Sequence, residues 1–142
     1  MPAVADPGSA VVRAAHDLGL QVLPLVGPVS LLLALAASGL NGQNFAFVGY
    51  LPQDAAERVA RLKQLESLAL KTGQTQMWIE TPYRNAAMMT ALLQGLQATT
   101  RLSVASGLTL PTQMVRSQTV AQWRQNPQGP ASDIPAVYAI GG

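Results

Sequence analysis

The sequence predicts an α/β fold, a mixed sheet flanked by helices, on three observations. The apolar run Gln21–Val26 passes through a Gly27-Pro28 turn into the uncharged stretch Leu31–Ala37, the pattern of a strand handing over to a helix. Asp54 and Glu57 stand at capping-box spacing ahead of Val59, Leu62, Leu65 and Ala69, which recur at helical intervals. From there to the carboxyl end, short strand-like runs alternate with helical patterns, with neither repeat nor low-complexity tract, as layered α/β proteins require.

In chain order, Asp6-Pro7-Gly8-Ser9 is a turn and helix start. Ala10–Leu18 then places Val11, Val12, Ala15 and Leu18 on one side of a short amphipathic helix ending at Gly19. Leu20–Leu25 reads as a strand. Pro28 suits the first turn of the next helix, where its missing N–H has no partner to lose, and Gly39 should end that helix. Asn41–Asn44 is a polar break, and Phe45–Val48 leading into Gly49-Tyr50-Leu51-Pro52 is either a short strand or an interdomain linker. The capped helix runs from Asp54 to about Leu70, with Glu57 and Arg61 paired on its wet face and Gly73 beyond its end. Thr75–Ile79 is strand-like and precedes Glu80-Thr81-Pro82-Tyr83 and a helix carrying Ala86, Met89, Leu92, Leu93 and Leu96. Leu102–Ala105, Met114–Gln118 and Val137–Ile140 are further strands. Val120–Gln125 is helical, and Gln128–Ser132 is a surface loop.

Composition bounds the chemistry. A chain of 142 residues, 49% hydrophobic, is long enough to bury a core of its own. Without cysteine it has no disulfide or thiolate site, and its one histidine, His16, cannot assemble a zinc cluster, so no metal is expected. No charged residue occurs between Leu18 and Gln53, but Pro24, Gly27 and Pro28 break that stretch, which argues against a membrane span. Met1–Asp6 has no basic segment ahead of an apolar core, so a cytoplasmic protein is expected. The net charge of +2 does not mark a nucleic-acid binder; Thr81–Ser132, however, lacks any acid and carries Arg84, Arg101, Arg116 and Arg124. These cations either meet phosphate or sit on solvated faces.

Four segments taken in order carry a family resemblance: Pro2-Ala3-Val4-Ala5-Asp6-Pro7-Gly8, Pro24-Leu25-Val26-Gly27-Pro28-Val29-Ser30, Phe45-Ala46-Phe47-Val48-Gly49-Tyr50-Leu51-Pro52, and Glu80-Thr81-Pro82-Tyr83-Arg84. Together they resemble the tetrapyrrole (corrin and porphyrin) methylase family of S-adenosylmethionine-dependent, class III methyltransferases. The third and fourth look most like its branch that methylates a ribose 2′-hydroxyl of small-subunit ribosomal RNA. Gly107–Gln113 with Val115-Arg116-Ser117 resembles the tetrapyrrole branch instead. The resemblance implies that residues 1–42 are the end of an N-terminal cofactor-binding domain and 43–142 a C-terminal methylase domain, in a protein that forms homodimers.

It further implies that Pro2, Ala3 and Val4 touch the methionine part of S-adenosylmethionine. Val29 and Ser30 would lie against its ribose or carboxylate, and Ile79, Glu80 and Ala136 would line the adenine pocket. Methyl transfer is an in-line displacement in which the cofactor brings the reactive group, so no catalytic triad is required. A hydroxyl acceptor gains from a base or a polarising cation, and Glu80 and Arg84 are the candidates beside a family motif. Each residue also has a plain structural role open to it. Glu80 caps the next helix or pairs with Arg84; Ser30 caps its own helix; Tyr50 and Trp78 are buried at a domain junction rather than stacked on a base; Met88 and Met89 are core; His16 is a surface histidine. The expected function is methyl transfer to an RNA ribose or a tetrapyrrole-like acceptor, with the isolated chain inactive; the alternative is a non-catalytic dimerisation or partner-binding module on the same fold.

Overall fold

A computed structural model describes all residues, Met1–Gly142. Helices α1 (Ser9–Asp17) and α2 (Ser30–Ser38) precede β1 (Phe45–Tyr50), α3 (Ala55–Thr72), β2 (Thr75–Glu80), a 3₁₀ turn (Pro82–Arg84) and α4 (Asn85–Gly95). The hairpin β3 (Arg101–Ser106) and β4 (Met114–Thr119), then α5 (Val120–Gln125) and β5 (Ala136–Gly141), complete the chain. The strands form one mixed sheet in the order β1-β2-β5-β3-β4, in which β1 and β2 are parallel and the other neighbours antiparallel.

Strand alternation divides the sheet's side chains between two cores. Trp78, Leu102, Val104, Tyr138 and Ile140 point to one face, where Leu62 and Leu65 of α3, Met88 and Leu92 of α4, and Val120 and Trp123 of α5 cover them. Met77, Ala105, Val137 and Ala139 point to the other, where Leu31, Ala34 and Leu35 of α2 pack. Ser117 fastens α2 to the sheet by donating to the Ser38 carbonyl at 2.6 Å. Met88 and Met89 thus serve as core, and His16 is exposed.

The capped helix forms as the spacing predicts: the Asp54 side chain accepts from the Glu57 N–H at 2.9 Å, and Gly73 ends α3 in the left-handed region. Glu57 and Arg61 do not pair, however. Arg61 donates to Gln64 at 3.4 Å instead, in keeping with how little an exposed ion pair gains over hydration. Phe45–Tyr50 is a strand rather than a linker.

The larger departure is Leu20–Leu25, which is not a strand. A strand exists by hydrogen bonding to a neighbour, and none of the five strands pairs with this segment. It runs extended over the surface, leaving Leu23, Leu25 and Val26 exposed.

Candidate functional site

At one end of the sheet β1, β2 and β3 finish and β5 begins. Glu80 pairs with Ala136, and Ala136 with Ser106, so these three residues form one cross-strand row at the tip. Above it opens a cleft of about 350 Å³, walled by Ile79, Leu108, Leu110, Ile134, Pro135 and Val137 and reached by Tyr50 and Ser30. That volume falls within the range of small-molecule pockets, and the position, at strand ends beside a helix start, is where open α/β sheets hold ligands.

Local sequence explains each part of the rim. Between Phe47 and Tyr50 the β1–β2 register slips, so that three steps along β1 match two along β2; Gly49, at φ 77°, supplies the left-handed residue that this bulge needs. The bulge turns Tyr50 towards the cleft, and Arg58 of α3 holds the next turn by donating to the Pro52 and Gln53 carbonyls at 3.1 and 2.6 Å. Gly107, at φ 57°, ends β3, and the following loop closes through Leu110 N–H to Gly107 O at 2.9 Å and Thr109 N–H to the Gln113 side chain at 3.0 Å. The β-strand row itself is small at Ala136, which leaves Glu80 and Ser106 flanking a shallow floor.

Glu80 is almost fully buried. Its Oε1 accepts from the Thr81 N–H at 2.8 Å and the Thr81 hydroxyl at 3.1 Å and lies 3.6 Å from an Arg84 nitrogen. Its Oε2 is buried with no hydrogen-bond partner. Arg84 also donates to the Tyr83 phenol oxygen at 2.9 Å, its guanidinium carbon 5.1 Å from that ring's centroid. Hydrogen bonding with the Thr81 side chain, then with Arg84, and the guanidinium's charge lower the Tyr83 phenol below its ordinary 10.0. Tyr138, beneath this group, is held well above that value by burial and, secondarily, by the negative charge of Glu80.

The structure therefore gathers Ser30, Ile79, Glu80 and Ala136, with Arg84 tied to Glu80 just outside the cleft. It does not gather the others. Pro2 and Val4 line a separate apolar hollow of about 630 Å³ against Val22–Pro28, and Ala3, at φ 63°, turns the loop by bonding its N–H to Pro7 O. Val29 packs half-buried on the α2 core, and Ser30 makes no capping bond within its helix. Trp78 lies wholly in the core, stacked on Tyr138, so it is no platform for a base; Tyr50 is exposed. Arg124 is spoken for as well, donating to the Leu93 and Leu96 carbonyls at the end of α4, and Arg116 lies over the Trp123 ring at 4.2 Å. Sequence reasoning passed over Asn85, which is fully buried one residue beyond the Glu80–Arg84 motif. The signal was an amide at the head of an otherwise apolar helical face.

The chain resembles curated proteins in sequence. Ribosomal RNA small subunit methyltransferase I of Mesorhizobium japonicum is 34% identical over 84% of the chain, and the Pseudomonas aeruginosa protein of the same name 31% identical over 85%. The chain is a relative of these methyltransferases, with a tetrapyrrole methylase-like fold. It spans 39% and 42% of those two relatives' lengths. Among solved structures, the methyltransferase CobJ superposes with a TM-score of 0.59 at 19% identity, covering 99% of this chain and 61% of that one. Uroporphyrin-III C-methyltransferase of Thermus thermophilus gives 0.55 at 21% identity, covering 99% and 60%, and a structure of that enzyme with S-adenyl homocysteine gives 0.52 at 18%, covering 99% and 61%. No family model matches the chain. No helix is long and apolar enough to cross a membrane, and no group of three or more His, Cys, Asp or Glu side chains is placed to hold a metal ion.

Proposed function

We propose that this chain is the C-terminal portion of a cytoplasmic S-adenosylmethionine-dependent methyltransferase whose acceptor is a ribose hydroxyl of small-subunit ribosomal RNA. On this reading residues 1–42 close an N-terminal cofactor domain, and 43–142 form the C-terminal domain of a homodimer. The observation that carries it is the cleft at the sheet tip in a chain 34% identical, over most of its length, to a protein named for that RNA.

The residues present fit the cofactor. An apolar slot between Ile79, Ile134, Pro135 and Val137 suits a purine ring, and the unpartnered Oε2 of Glu80 is an acceptor for a donor that the protein does not supply. Ser30, exposed at the head of α2, stands free to bond a ribose or carboxylate. When bound, S-adenosylmethionine supplies the electrophilic methyl group. The chain's own residues do the rest: Ile79 and Ala136 seat the ring, and Glu80 and Arg84 act at the acceptor. Thr81 and Arg84 fix one carboxylate oxygen of Glu80, so the other is left to take the hydroxyl proton; Arg84 then faces the charge that develops.

The test is a chimera in which this chain replaces the matching portion of the Mesorhizobium japonicum relative, assayed for labelled methyl transfer. Transfer to small-subunit RNA supports the proposal. Transfer to a porphyrinoid acceptor only would move the protein to the tetrapyrrole branch, and a folded chimera that binds no S-adenosylhomocysteine would leave the non-catalytic module.

A further inference from the structure

The wall of the cleft formed by Ile134 and Pro135 belongs to a loop with almost no internal support. From Pro127 to Pro135 no hydrogen bond joins backbone to backbone outside the regular elements. Three side-chain bonds hold it instead. Arg116 donates to the Gln128 carbonyl at 3.2 Å, at the end remote from the cleft, and the Asn85 amide donates to both the Ala131 and Ile134 carbonyls at 2.8 Å. The loop is also pressed onto α4: a Cβ on Gly129 would stand 2.7 Å from Met89 Cγ, so the backbone lies flat there only because glycine occupies the position.

Asn85 is suited to this task in a way no neighbouring residue is. Its side chain is fully buried, and its Oδ1 accepts the Tyr138 hydroxyl at 3.0 Å, which fixes the amide's orientation and leaves both Nδ2 hydrogens for the loop. Tyr138 is in turn immobilised by its stack on Trp78. A rigid sheet residue thus orients a helix residue, and the helix residue hangs a loop.

We propose that Asn85 is the positioning residue that sets the cleft wall, and through it the cleft's affinity for its ligand. The ligand taken here, an S-adenosyl compound, rests on the function proposed above; the latch itself does not. The effect reaches the ligand through Ile134 and Pro135, not by contact with Asn85.

The experiment uses the 142-residue chain and its chimera, with S-adenosylhomocysteine as the probe. In Asn85→Ala, and in the isosteric Asn85→Asp, the backbone order parameters at Ala131–Ile134 should fall below about 0.6, from rigid-backbone values near about 0.85, while those of β2 and β5 are unchanged. Affinity for S-adenosylhomocysteine in the chimera should fall about tenfold. Leu62→Ala opens the α3 side of the core without touching the latch's hydrogen bonds and should keep affinity within about twofold, whatever it costs in melting temperature. Unchanged order parameters at Ala131–Ile134 in the Asn85 variants overturn the latch. Loosening with unchanged affinity overturns its influence on the site, as does an affinity that falls in step with melting temperature across all three variants. A wild-type chimera that binds no probe refutes the proposed function alone, since the order parameters of the free chain still judge the latch.

Discussion

The rings of Trp78 and Tyr138, paired directly across β2 and β5, stack with centroids 5.8 Å apart and planes within 5° of parallel. The stack forms the floor beneath Glu80 and buries a phenol whose neutral form is strongly favoured. The folded chain therefore binds the Tyr138 proton more tightly than the unfolded chain. Stability is undiminished below the unfolded value of 10.0 and falls as pH rises past it towards the raised folded value. The melting temperature of the wild type should drop between about pH 9 and about pH 11 more than that of Tyr138→Phe, which keeps the ring and has no proton to lose. At neutral pH the variant should be less stable by about 1 kcal/mol, the worth of one buried hydrogen bond. Equal slopes for the two proteins would show that folding does not hold the phenol's proton more tightly.

At Gly49 the backbone decides the shape of the cleft's rim. At φ 77° it sits in a region that costs a residue with a Cβ about 1–2 kcal/mol, yet open space surrounds the place that a Cβ would occupy. Gly49→Ala should thus lower stability by about that amount through conformation alone, without a clash. Denaturant melts measure the loss. If the register closes up to relieve the strain, Tyr50 leaves the cleft, and its fluorescence response to S-adenosylhomocysteine in the chimera disappears.

Much of this arrangement was readable from residue patterns, and the failures have identifiable causes. The Asp54 cap and the helical spacing behind it are local, so α3 appears where expected. The strands β2 to β5 lie within a residue or two of where their sequences place them, although β4 carries only Met114 and Val115 as apolar residues. Leu20–Leu25 carries an equally good run and fails, because pairing is a property of the neighbour and no neighbour is offered. For the candidate site, the Glu80–Arg84 motif marks the strand end beside which the cleft opens, since a strand stopping before Thr-Pro turns at the sheet tip. Asn85, Ser106 and the Pro127–Pro135 wall were not legible. Their roles depend on carbonyls 46 and 49 residues away and on a cross-strand row that only the register creates.

Arg124 distinguishes a structural cation from a ligand-binding one. Its guanidinium donates at 2.8 Å to both Leu93 and Leu96 carbonyls, which are among the acceptors left over where α4 ends. Arg124→Ala should destabilise the chain by roughly 1 kcal/mol with little effect on RNA affinity or on its salt dependence. Filter binding of small-subunit RNA to the chimera at several salt concentrations provides the check; a flatter salt slope in the variant would make Arg124 a phosphate contact after all.

Glu80→Gln separates charge from shape at the centre of the site. The amide keeps the side chain's volume, and its oxygen still accepts from Thr81, but the attraction to Arg84 is lost and the unpartnered Oε2 position becomes a donor. Neutralising the buried Glu80 removes the cost of burying its charge together with a single long attraction of 3.6 Å, so the two offset and stability should change by less than about 1 kcal/mol. A carboxylate that takes a proton from the acceptor contributes on the order of 10²-fold or more, so methyl transfer by the chimera should fall by at least that factor while S-adenosylhomocysteine still binds. If instead transfer persists and binding weakens, Glu80 serves the purine pocket and the acceptor's proton leaves by another route. Loss of both with the fold intact would give it both roles, and full activity would leave it the structural task of holding Thr81 and Arg84 at the strand end, since it caps neither following helix.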